Sequence, residues 1–270
     1  MSSLICVGDF GTGQEGQLKV AELMKYLIEL YNCKLILGLG DNIYPDGVSS
    51  SKDPQFFTKF EEPYKDLPKN IKFYNVLGNH DYHQQKSPKS EIKYSKLNKQ
   101  WVLPHNFYCF KRFINNVPVD FIALDTNLRK LKNKKEQKKW LTNTILESKS
   151  AWNIVYGHHP WKSFGEHGHA EGELDTFYQE MVDETNGKID LLISGHDHNQ
   201  QHIFIPNNPN MIVSGVGGQT RPMKSETGEG LLYSSSNLGC CLIEVYKGKL
   251  VINFFNTNKE KEYSFIINKK

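Results

Sequence analysis

The sequence predicts an α/β (α+β) fold in which two mixed β-sheets pack face to face and helices cover their outer faces, as a four-layer αββα sandwich. Short apolar runs typical of buried strands alternate with helical patterns through most of the chain. The last third instead holds strand patterns joined by short turns such as Lys247-Gly248. Because no linker separates these parts, we expect residues 1–270 to form one domain.

Four helices and a set of C-terminal strands are predicted along the chain. Apolar residues recur at helical spacing over 14–32. Asp53-Pro54 is typical of an N-cap with proline at the first helical position, which predicts a helix over 53–65. Two further helices are predicted over 136–149 and 173–184. The C-terminal strands are predicted over 211–214, 238–246, 249–256 and 262–267.

Composition and charge exclude several classes of protein. Hydrophobic residues make up 38% of the chain, enough for a substantial core, whereas the net charge of +3 is too small to indicate nucleic-acid binding. No run approaches the roughly 18 apolar residues of a membrane-spanning helix. A strand pattern begins at about residue 4, so we expect no signal peptide. We therefore expect a cytoplasmic monomer with no nucleic-acid or membrane partner.

The cysteines are consistent with a reducing compartment. Their number is odd, and their spacing fits neither a disulfide framework nor a zinc ribbon. We expect them to be reduced and buried, as small hydrophobic side chains. They are Cys6, Cys33, Cys109, Cys240 and Cys241.

Five short apolar runs share a pattern at their ends. Each run ends in a glycine, and the next residue is of a type that binds metal ions. Ligands of open α/β sheets bind outside the carboxyl ends of strands, and glycine lets the backbone turn sharply there. The pattern therefore predicts one polynuclear metal site, to which five strands contribute oxygen and nitrogen donors. The residues that follow the glycines are Asp9, Asp41, Asn79, His158 and His196.

These segments together resemble the signature of dinuclear metallophosphoesterases of the calcineurin-like superfamily. They are Gly8-Asp9-Phe10-Gly11, Gly40-Asp41-Asn42-Ile43-Tyr44, Gly78-Asn79-His80-Asp81, Gly157-His158-His159-Pro160 and Gly195-His196-Asp197-His198. Within the superfamily, the chain resembles purple acid phosphatases of the tartrate-resistant type, from about residue 4 to residue 246. Most metallophosphoesterases carry a metal-binding histidine where this chain has Gly11. Tyr44 replaces that donor, as it does in purple acid phosphatases.

The resemblance implies a metallophosphoesterase fold with a dinuclear metal centre. It implies Fe(III) in the first site and Fe(II), Zn(II) or Mn(II) in the second, and a phenolate is a hard donor suited to Fe(III). His159 and His202 match no ligand position, and we expect them to be structural or to lie behind the ligands. The first ion would take Asp9, Asp41, Tyr44 and His198, and the second Asp41, Asn79, His158 and His196, with Asp41 bridging.

The function implied is a metal-dependent acid phosphatase that hydrolyses phosphomonoesters. Hydroxide held by the metals would attack phosphorus in line, and a histidine would protonate the leaving alcohol. His80 and His167 match the outer histidines of the family, and one of them can act as the general acid. Asp81 is expected to orient His80, and Glu166 is expected to have a weaker effect on His167.

Two alternatives stay open. The first is a Mn- or Zn-dependent phosphodiesterase or nucleotide hydrolase on the same scaffold. Tyr44 argues against it, and a visible phenolate-to-iron absorption that is lost in Tyr44→Phe would separate the two. The second is a scaffold or adaptor protein whose ligands have degenerated, against which the intact ligand positions argue.

The basic run from Arg129 to Lys139 has two interpretations. It is either a solvated loop and helix start, or a positive rim that attracts an anionic substrate. In mammalian relatives this region carries a longer, disulfide-tethered loop that represses activity until it is cut. We therefore predict no proteolytic activation here, and limited proteolysis that raised turnover several-fold would contradict this.

Overall fold

The computed structural model describes residues 2–269, which contain two seven-stranded mixed sheets. The first sheet consists, from edge to edge, of β14 (Lys261–Asn268), β13 (Lys249–Asn256), β12 (Gly239–Val245), β1 (Ser3–Val7), β2 (Cys33–Gly38), β3 (Phe73–Asn75) and β4 (Trp101–Val102). The second consists of β11 (Leu231–Ser235), β9 (Gln200–Ile203), β10 (Asn210–Ser214), β8 (Leu191–Ser194), β7 (Trp152–Tyr156), β6 (Val117–Ala123) and β5 (Tyr108–Ile114).

Helices cover the outer faces of both sheets. They are α1 (Glu15–Tyr31), α2 (Ser87–Tyr94), α3 (Lys134–Glu147) and α4 (Glu173–Glu184), together with a π-helical turn at Phe57–Glu61 and a 3₁₀ turn at His80–Tyr82. Three apolar cores separate the four layers, which confirms the predicted αββα sandwich. Leu23 of α1 lies in the outer core of the first sheet, Ile154 in the core between the sheets, and Met181 of α4 in the outer core of the second.

Three of the four predicted helices are confirmed, and the fourth is shorter than predicted. The helices over 14–32, 136–149 and 173–184 correspond to α1, α3 and α4. Asp53 does act as a cap, because its Oδ1 accepts a hydrogen bond from the Gln55 N–H at 3.0 Å. The helix predicted over 53–65 is nevertheless too long, since the helical turns end at Glu61. Pro63 contributes to the early end, because proline has no N–H to donate to the preceding turn.

Several elements were not predicted, among them α2, β4, β9 and β11. The largest omission is the β5–β6 hairpin. Its turn is formed by Asn115 and Asn116, whose φ angles of 52° and 61° suit the two-residue turn that such hairpins favour. Cys109 of β5 is exposed, so the prediction that all five cysteines are buried was wrong, although all five are free thiols. None of the helices in residues 2–269 is both long and apolar enough to cross a bilayer.

Candidate metal centre

The topology brings the five predicted strand ends to one place. In the first sheet β1, β2 and β3 are parallel neighbours, and in the second β7 and β8 are parallel neighbours. Their carboxyl ends therefore lie at the same edge of the sandwich, as predicted. The two sheets are joined there by a hydrogen bond of 2.8 Å from the backbone N–H of His196 to Oδ2 of Asp9.

The backbone at this edge is tightly packed and partly strained. Asp9, Asp41 and His196 have φ angles of 58°, 51° and 70°, in the left-handed region that most residues avoid. Glycines leave room for the carboxylates. A Cβ on Gly195 would lie 2.5 Å from Oδ2 of Asp9, and one on Gly78 would lie 2.1 Å from Oδ1 of Asp41. The strand-glycine-ligand pattern is thus a packing requirement of the site.

The Tyr44 hydroxyl is the centre of a first group of donors. It lies 3.0 Å from Oδ1 of Asp9, 3.0 Å from Oδ2 of Asp41 and 3.1 Å from Nε2 of His198. All four residues are buried. Burial, followed by the charges of Asp9 and Asp41, raises the pKa of Tyr44 well above its usual value, so without a cation the phenol is neutral. One phenol proton cannot satisfy both carboxylates, whereas a hard cation fits this set of oxygen and nitrogen donors.

The exchange of donors between Gly11 and Tyr44 has a structural reason. A Cβ on Gly11 would lie 1.7 Å from the carbonyl oxygen of Asn42, so no side chain fits at that position. The Gly11 carbonyl oxygen accepts a hydrogen bond of 2.9 Å from the Tyr44 N–H. The two segments therefore pack directly against each other, and the Tyr44 side chain supplies the donor that a histidine at Gly11 could not.

A second group of donors surrounds Nε2 of His158. Nδ1 of this buried ring donates to the Leu39 carbonyl oxygen at 2.9 Å, so Nε2 presents a lone pair when the ring is neutral. That Nε2 lies 3.0 Å from Oδ1 of Asn79, 3.2 Å from Nδ1 of His196 and 3.4 Å from Oδ1 of Asp41. Acceptors thus converge on one point, and a metal ion fits there.

In the absence of a metal ion, Nε2 of His158 would bind a proton instead. Burial alone would lower the pKa of His158, but the Asp41 carboxylate outweighs it and raises the pKa to about 9. Burial, and then the neighbouring His159, lowers the pKa of His196 well below its usual value. His196 is therefore a neutral ring, which is the form that binds metal ions.

Asp41 reaches both groups of donors. Its Oδ2 contacts Tyr44 and its Oδ1 faces His158, which is the arrangement expected of a bridging ligand. Burial would raise the pKa of Asp41, but His158 and then His80 lower it well below its ordinary value, so the carboxylate is ionised. The structure thus brings all seven predicted ligands together in two groups that share Asp41.

His80 lies beside the first group of donors. Its ring packs against the Tyr44 ring, with the centroids 4.5 Å apart. Nδ1 of His80 is hydrogen-bonded to the Pro45 carbonyl oxygen, and Nε2 lies 3.9 Å from Oδ2 of Asp41. Nε2 therefore faces the space between the ligands, where a substrate would bind.

Asp81, which was predicted to orient His80, contacts backbone groups of two loops. Its carboxylate is fully buried and accepts hydrogen bonds from the backbone N–H groups of Asn42, Ile43 and Gly78 at 2.8–3.2 Å. Within the described chain it makes no hydrogen bond to His80, whose ring is held by Pro45 instead. Asp81 therefore positions the loops that follow β2 and β3. Burial, and then Asp41, raises the pKa of Asp81 to about 7.

His167 lies over the second group of donors. Its ring stacks on His196, with centroids 4.1 Å apart and an interplanar angle of 24°. The backbone N–H of His167 donates to Oδ1 of Asp197 at 2.9 Å, and the Ser163 hydroxyl donates to Oδ2 of the same carboxylate. Asp197 was not predicted to have a role. Its place between two ligands in the sequence was the only available signal.

His159 and His202, which match no ligand position of the family, differ in their surroundings. The His159 ring lies 4.5 Å from the His196 ring, and its Nδ1 is 2.7 Å from the Thr126 hydroxyl. One ligand atom from each of His158, His159 and His196 fits within 4.8 Å, so His159 belongs to the site, behind the ligands. Burial, and then His158, lowers its pKa to about 3. His202 lies outside the site, where it stacks on Phe265 with centroids 3.4 Å apart.

Comparisons with known proteins agree with this geometry. Residues 3–200 match the calcineurin-like phosphoesterase family. Purple acid phosphatase 7 of Arabidopsis thaliana is 30% identical over 244 residues, which cover 80% of this chain and 70% of the relative. Tartrate-resistant acid phosphatase type 5 of Oryctolagus cuniculus is 29% identical over 243 residues, which cover 81% of this chain and 73% of the relative.

Solved structures show the same fold. GAP50, the anchor in the inner membrane complex of Plasmodium, superposes with a TM-score of 0.86 at 22% identity, over 99% of this chain and 89% of that one. A dimetal phosphatase from Danio rerio superposes with a TM-score of 0.68 at 12% identity, over 99% of each chain. At these identities the likeness shows the fold alone. The sequence comparisons show more: the chain belongs to the calcineurin-like phosphoesterase family and, within it, to the purple acid phosphatases, and is a metal-dependent phosphatase.

Proposed function

We propose that this protein hydrolyses phosphomonoesters with a dinuclear Fe(III)–M(II) centre in which M is iron, zinc or manganese. The observation that carries the proposal is the Tyr44 hydroxyl, which lies within 3.1 Å of two carboxylates and one imidazole. A buried phenol beside two carboxylates is stabilised in its ionised form only by a hard, highly charged cation. Fe(III) meets this requirement better than divalent zinc or manganese does.

The donor sets suit two different ions. Asp9, Asp41, Tyr44 and His198 would hold the ferric ion, because they include three oxygens that become anionic. Asp41, Asn79, His158 and His196 would hold the divalent ion, because their remaining donors are neutral. When bound, the two ions would lower the pKa of water and neutralise charge on the phosphoryl oxygens. The protein ligands carry less negative charge than the ions carry positive charge, so the centre attracts a phosphate anion.

His80 is suited to bind the phosphoryl group. The bond from Nδ1 to the Pro45 carbonyl oxygen requires a proton on Nδ1, so any further proton sits on Nε2. Nε2 faces the ligands, and an imidazolium there would donate a hydrogen bond to a phosphoryl oxygen. The backbone N–H of His80 also donates to Oδ1 of Asp41 at 2.9 Å, which fixes its position.

His167 is the better candidate for the general acid. Its ring is exposed, whereas the ligand rings beneath it are largely enclosed, and it lines an open cleft beside the site. A leaving alcohol needs such space, and the Asp197 carboxylate holds the backbone of His167 at 2.9 Å. Glu166 is in an ion pair of 2.8 Å with Arg221, so its charge is partly compensated.

Metal analysis joined to a visible spectrum and to phosphatase assays tests this function. We expect iron plus a second metal, visible absorption, and hydrolysis of phenyl phosphate in preference to a phenyl phosphodiester. His80→Asn and His167→Asn should each lower kcat by about 10²–10⁴-fold, with metal content unchanged. His105→Asn is the matched control, because His105 is an exposed histidine outside the ligand set.

Two results would contradict the proposal in different ways. Stoichiometric zinc or manganese without visible absorption, together with preference for the diester, would favour the divalent phosphodiesterase. Protein that binds no stoichiometric metal and does not hydrolyse phenyl phosphate would favour a non-enzymatic scaffold.

A further inference from the structure

A cleft of about 540 Å³ opens beside the metal centre. His159, His167 and His196 of the site contribute to its lining, and it also reaches Arg129 and Lys130. Its volume lies within the roughly 300–1,000 Å³ that is typical of small-molecule sites. The cleft therefore has room for a leaving group beside the phosphate, and two basic residues border that room.

The basic run between residues 129 and 139 divides into two parts in the structure. Lys134 forms an ion pair of 2.5 Å with Glu173, and Lys138 forms one of 2.6 Å with Glu180. Both ion pairs therefore link α3 to α4, the first at the start of α4 and the second within it. Arg129 and Lys130 are exposed, and within residues 2–269 their side chains make no ion pair or hydrogen bond. Their charges are thus available to a ligand.

The other residues that line the cleft leave it with a positive net charge. Of its two acidic residues, Glu173 is compensated by Lys134, so only Glu171 offsets the charges of Arg129 and Lys130. Four apolar residues also line the cleft and suit the carbon skeleton of a compact molecule. These apolar residues are Leu128, Pro160, Ala170 and Leu174.

The segment that carries the two basic residues is anchored to the metal centre. The Thr126 hydroxyl is 2.7 Å from Nδ1 of His159, and the Asn127 side chain donates to the Leu77 carbonyl oxygen at 3.1 Å. A turn follows, in which the Lys130 N–H donates to the Asn127 carbonyl oxygen at 2.8 Å. The backbone of the basic pair is therefore fixed relative to the metal ligands before any substrate binds, which lowers the entropic cost of using it.

We propose that Arg129 and Lys130 determine specificity by binding a second phosphate on the leaving group. The preferred substrate is then a compact phosphomonoester that carries two phosphates, one at the metal centre and one at the basic pair. Two cations match the charge of a phosphate dianion, and the guanidinium fork of Arg129 suits its oxygens. This inference rests on the proposed phosphomonoesterase function.

The test compares fructose 1,6-bisphosphate with fructose 6-phosphate, which differ by one phosphate. For the wild-type protein we expect kcat/KM to be at least about tenfold higher for the bisphosphate, as one or two charge-assisted hydrogen bonds would give. The double variant Arg129→Gln/Lys130→Gln should reduce this ratio to about twofold, the statistical value for two equivalent phosphates. Its kcat/KM for phenyl phosphate, which carries no second phosphate, should fall far less than its kcat/KM for the bisphosphate. Arg129→Lys should retain part of the ratio, because it keeps the charge but loses the guanidinium fork.

Lys132→Gln is the matched control, because Lys132 is an exposed lysine of the same run that does not line the cleft. It should leave the ratio unchanged. A wild-type ratio near twofold, or an equal loss of phenyl phosphate activity in the double variant, would overturn the proposal. A loss in Lys132→Gln equal to that in the double variant would do the same, since it would indicate general electrostatic attraction.

Calorimetry separates failure of this inference from failure of the proposed function. Where the protein does not hydrolyse them, the heats of binding of the two fructose phosphates report on the cleft directly. If phenyl phosphate is not hydrolysed with any metal, the phosphatase proposal fails. Tighter binding of the bisphosphate, lost in the double variant, would still support the cleft assignment, and equal binding of both sugars would refute it.

Discussion

Replacing Tyr44 by phenylalanine removes one oxygen atom from the centre of the site and keeps the ring that packs on His80. In the metal-free protein the single phenol proton makes one hydrogen bond at a time to Asp9 or Asp41. A hydrogen bond to a charged group contributes about 1.5–3 kcal/mol. For a chain of this size, that loss lowers the Tm by about 3–10 °C.

The metal-loaded variant is the sharper comparison. It lacks a direct ligand of the first ion, so we expect its affinity for iron to fall by more than the roughly 10–100-fold that loss of an outer partner costs. The visible absorption should disappear. The second group of donors around His158 is untouched, and binding of one divalent ion should persist.

Iron titration followed by visible absorption, with metal analysis of the same samples, measures both effects. Tyr64→Phe is the matched control, because Tyr64 is a buried tyrosine in the outer core of the first sheet. Tyr44→Phe protein that binds iron with wild-type affinity and keeps its absorption band would refute the assignment of Tyr44 as a ligand.

Three further predictions concern protons and positioning. Loading of both ions at pH 7–8 should release at least two protons, one from His158, whose pKa in the metal-free protein is about 9, and one from the Tyr44 phenol, whose pKa burial holds well above its usual value; calorimetry in two buffers of different ionisation enthalpy measures this, and heats independent of the buffer would contradict it. Burial, and then the charge of Asp41, raises the pKa of Asp81; burial, and then the charge of Asp81, raises the pKa of Glu91. In the folded metal-free protein these two groups therefore hold protons that they release on unfolding. The contribution of these two carboxyl groups to the free energy of unfolding should therefore fall as the pH rises from about 4.5 to 7, by at most about 1.4 kcal/mol per pH unit for each proton, whereas the lowered pKa values of His159 and His196 act in the opposite direction. Glu91→Gln should remove the Glu91 part of this contribution, so the stability of the variant relative to the wild type should rise with pH in thermal unfolding, and parallel curves for the two proteins would show that Glu91 is not responsible. Asp197→Ala should lower kcat by about tenfold or more without changing metal content, because the backbone of His167 loses its anchor; equal kcat values would exclude a positioning role.

The strands that carry ligands could be predicted because their signal is local. Each has a short apolar run, a glycine and a donor, and parallel strands of one sheet must present their ends at one edge. The sequence also indicated that Tyr44 replaces the metal donor missing at Gly11, but it did not show why a side chain is excluded at Gly11. The contact between the Gly11 position and the Asn42 carbonyl oxygen depends on how two loops meet in space.

Other parts of the site depend on tertiary contacts that the sequence does not encode locally. Asp81 adjoins His80 in the chain, yet its carboxylate points to the amides of the β2 loop. The residues of the basic run look alike in sequence, but Lys134 pairs with α4 whereas Arg129 borders the cleft. Adjacency in the chain does not fix the direction of a side chain in an irregular segment, so these roles required the structure.

The left-handed backbone at Asp9, Asp41 and His196 lowers the stability of the fold at the positions that the metal site requires. Each of these residues costs the fold roughly 1 kcal/mol in backbone strain, and two of them also bring a carboxylate into the interior. Glycine or asparagine at the same positions would relieve part of that cost while weakening or removing the metal site. Substitutions that relieve the strain at these positions should therefore make this sandwich more stable while inactivating it. The backbone strain at the three residues is a cost in stability that accompanies the metal centre.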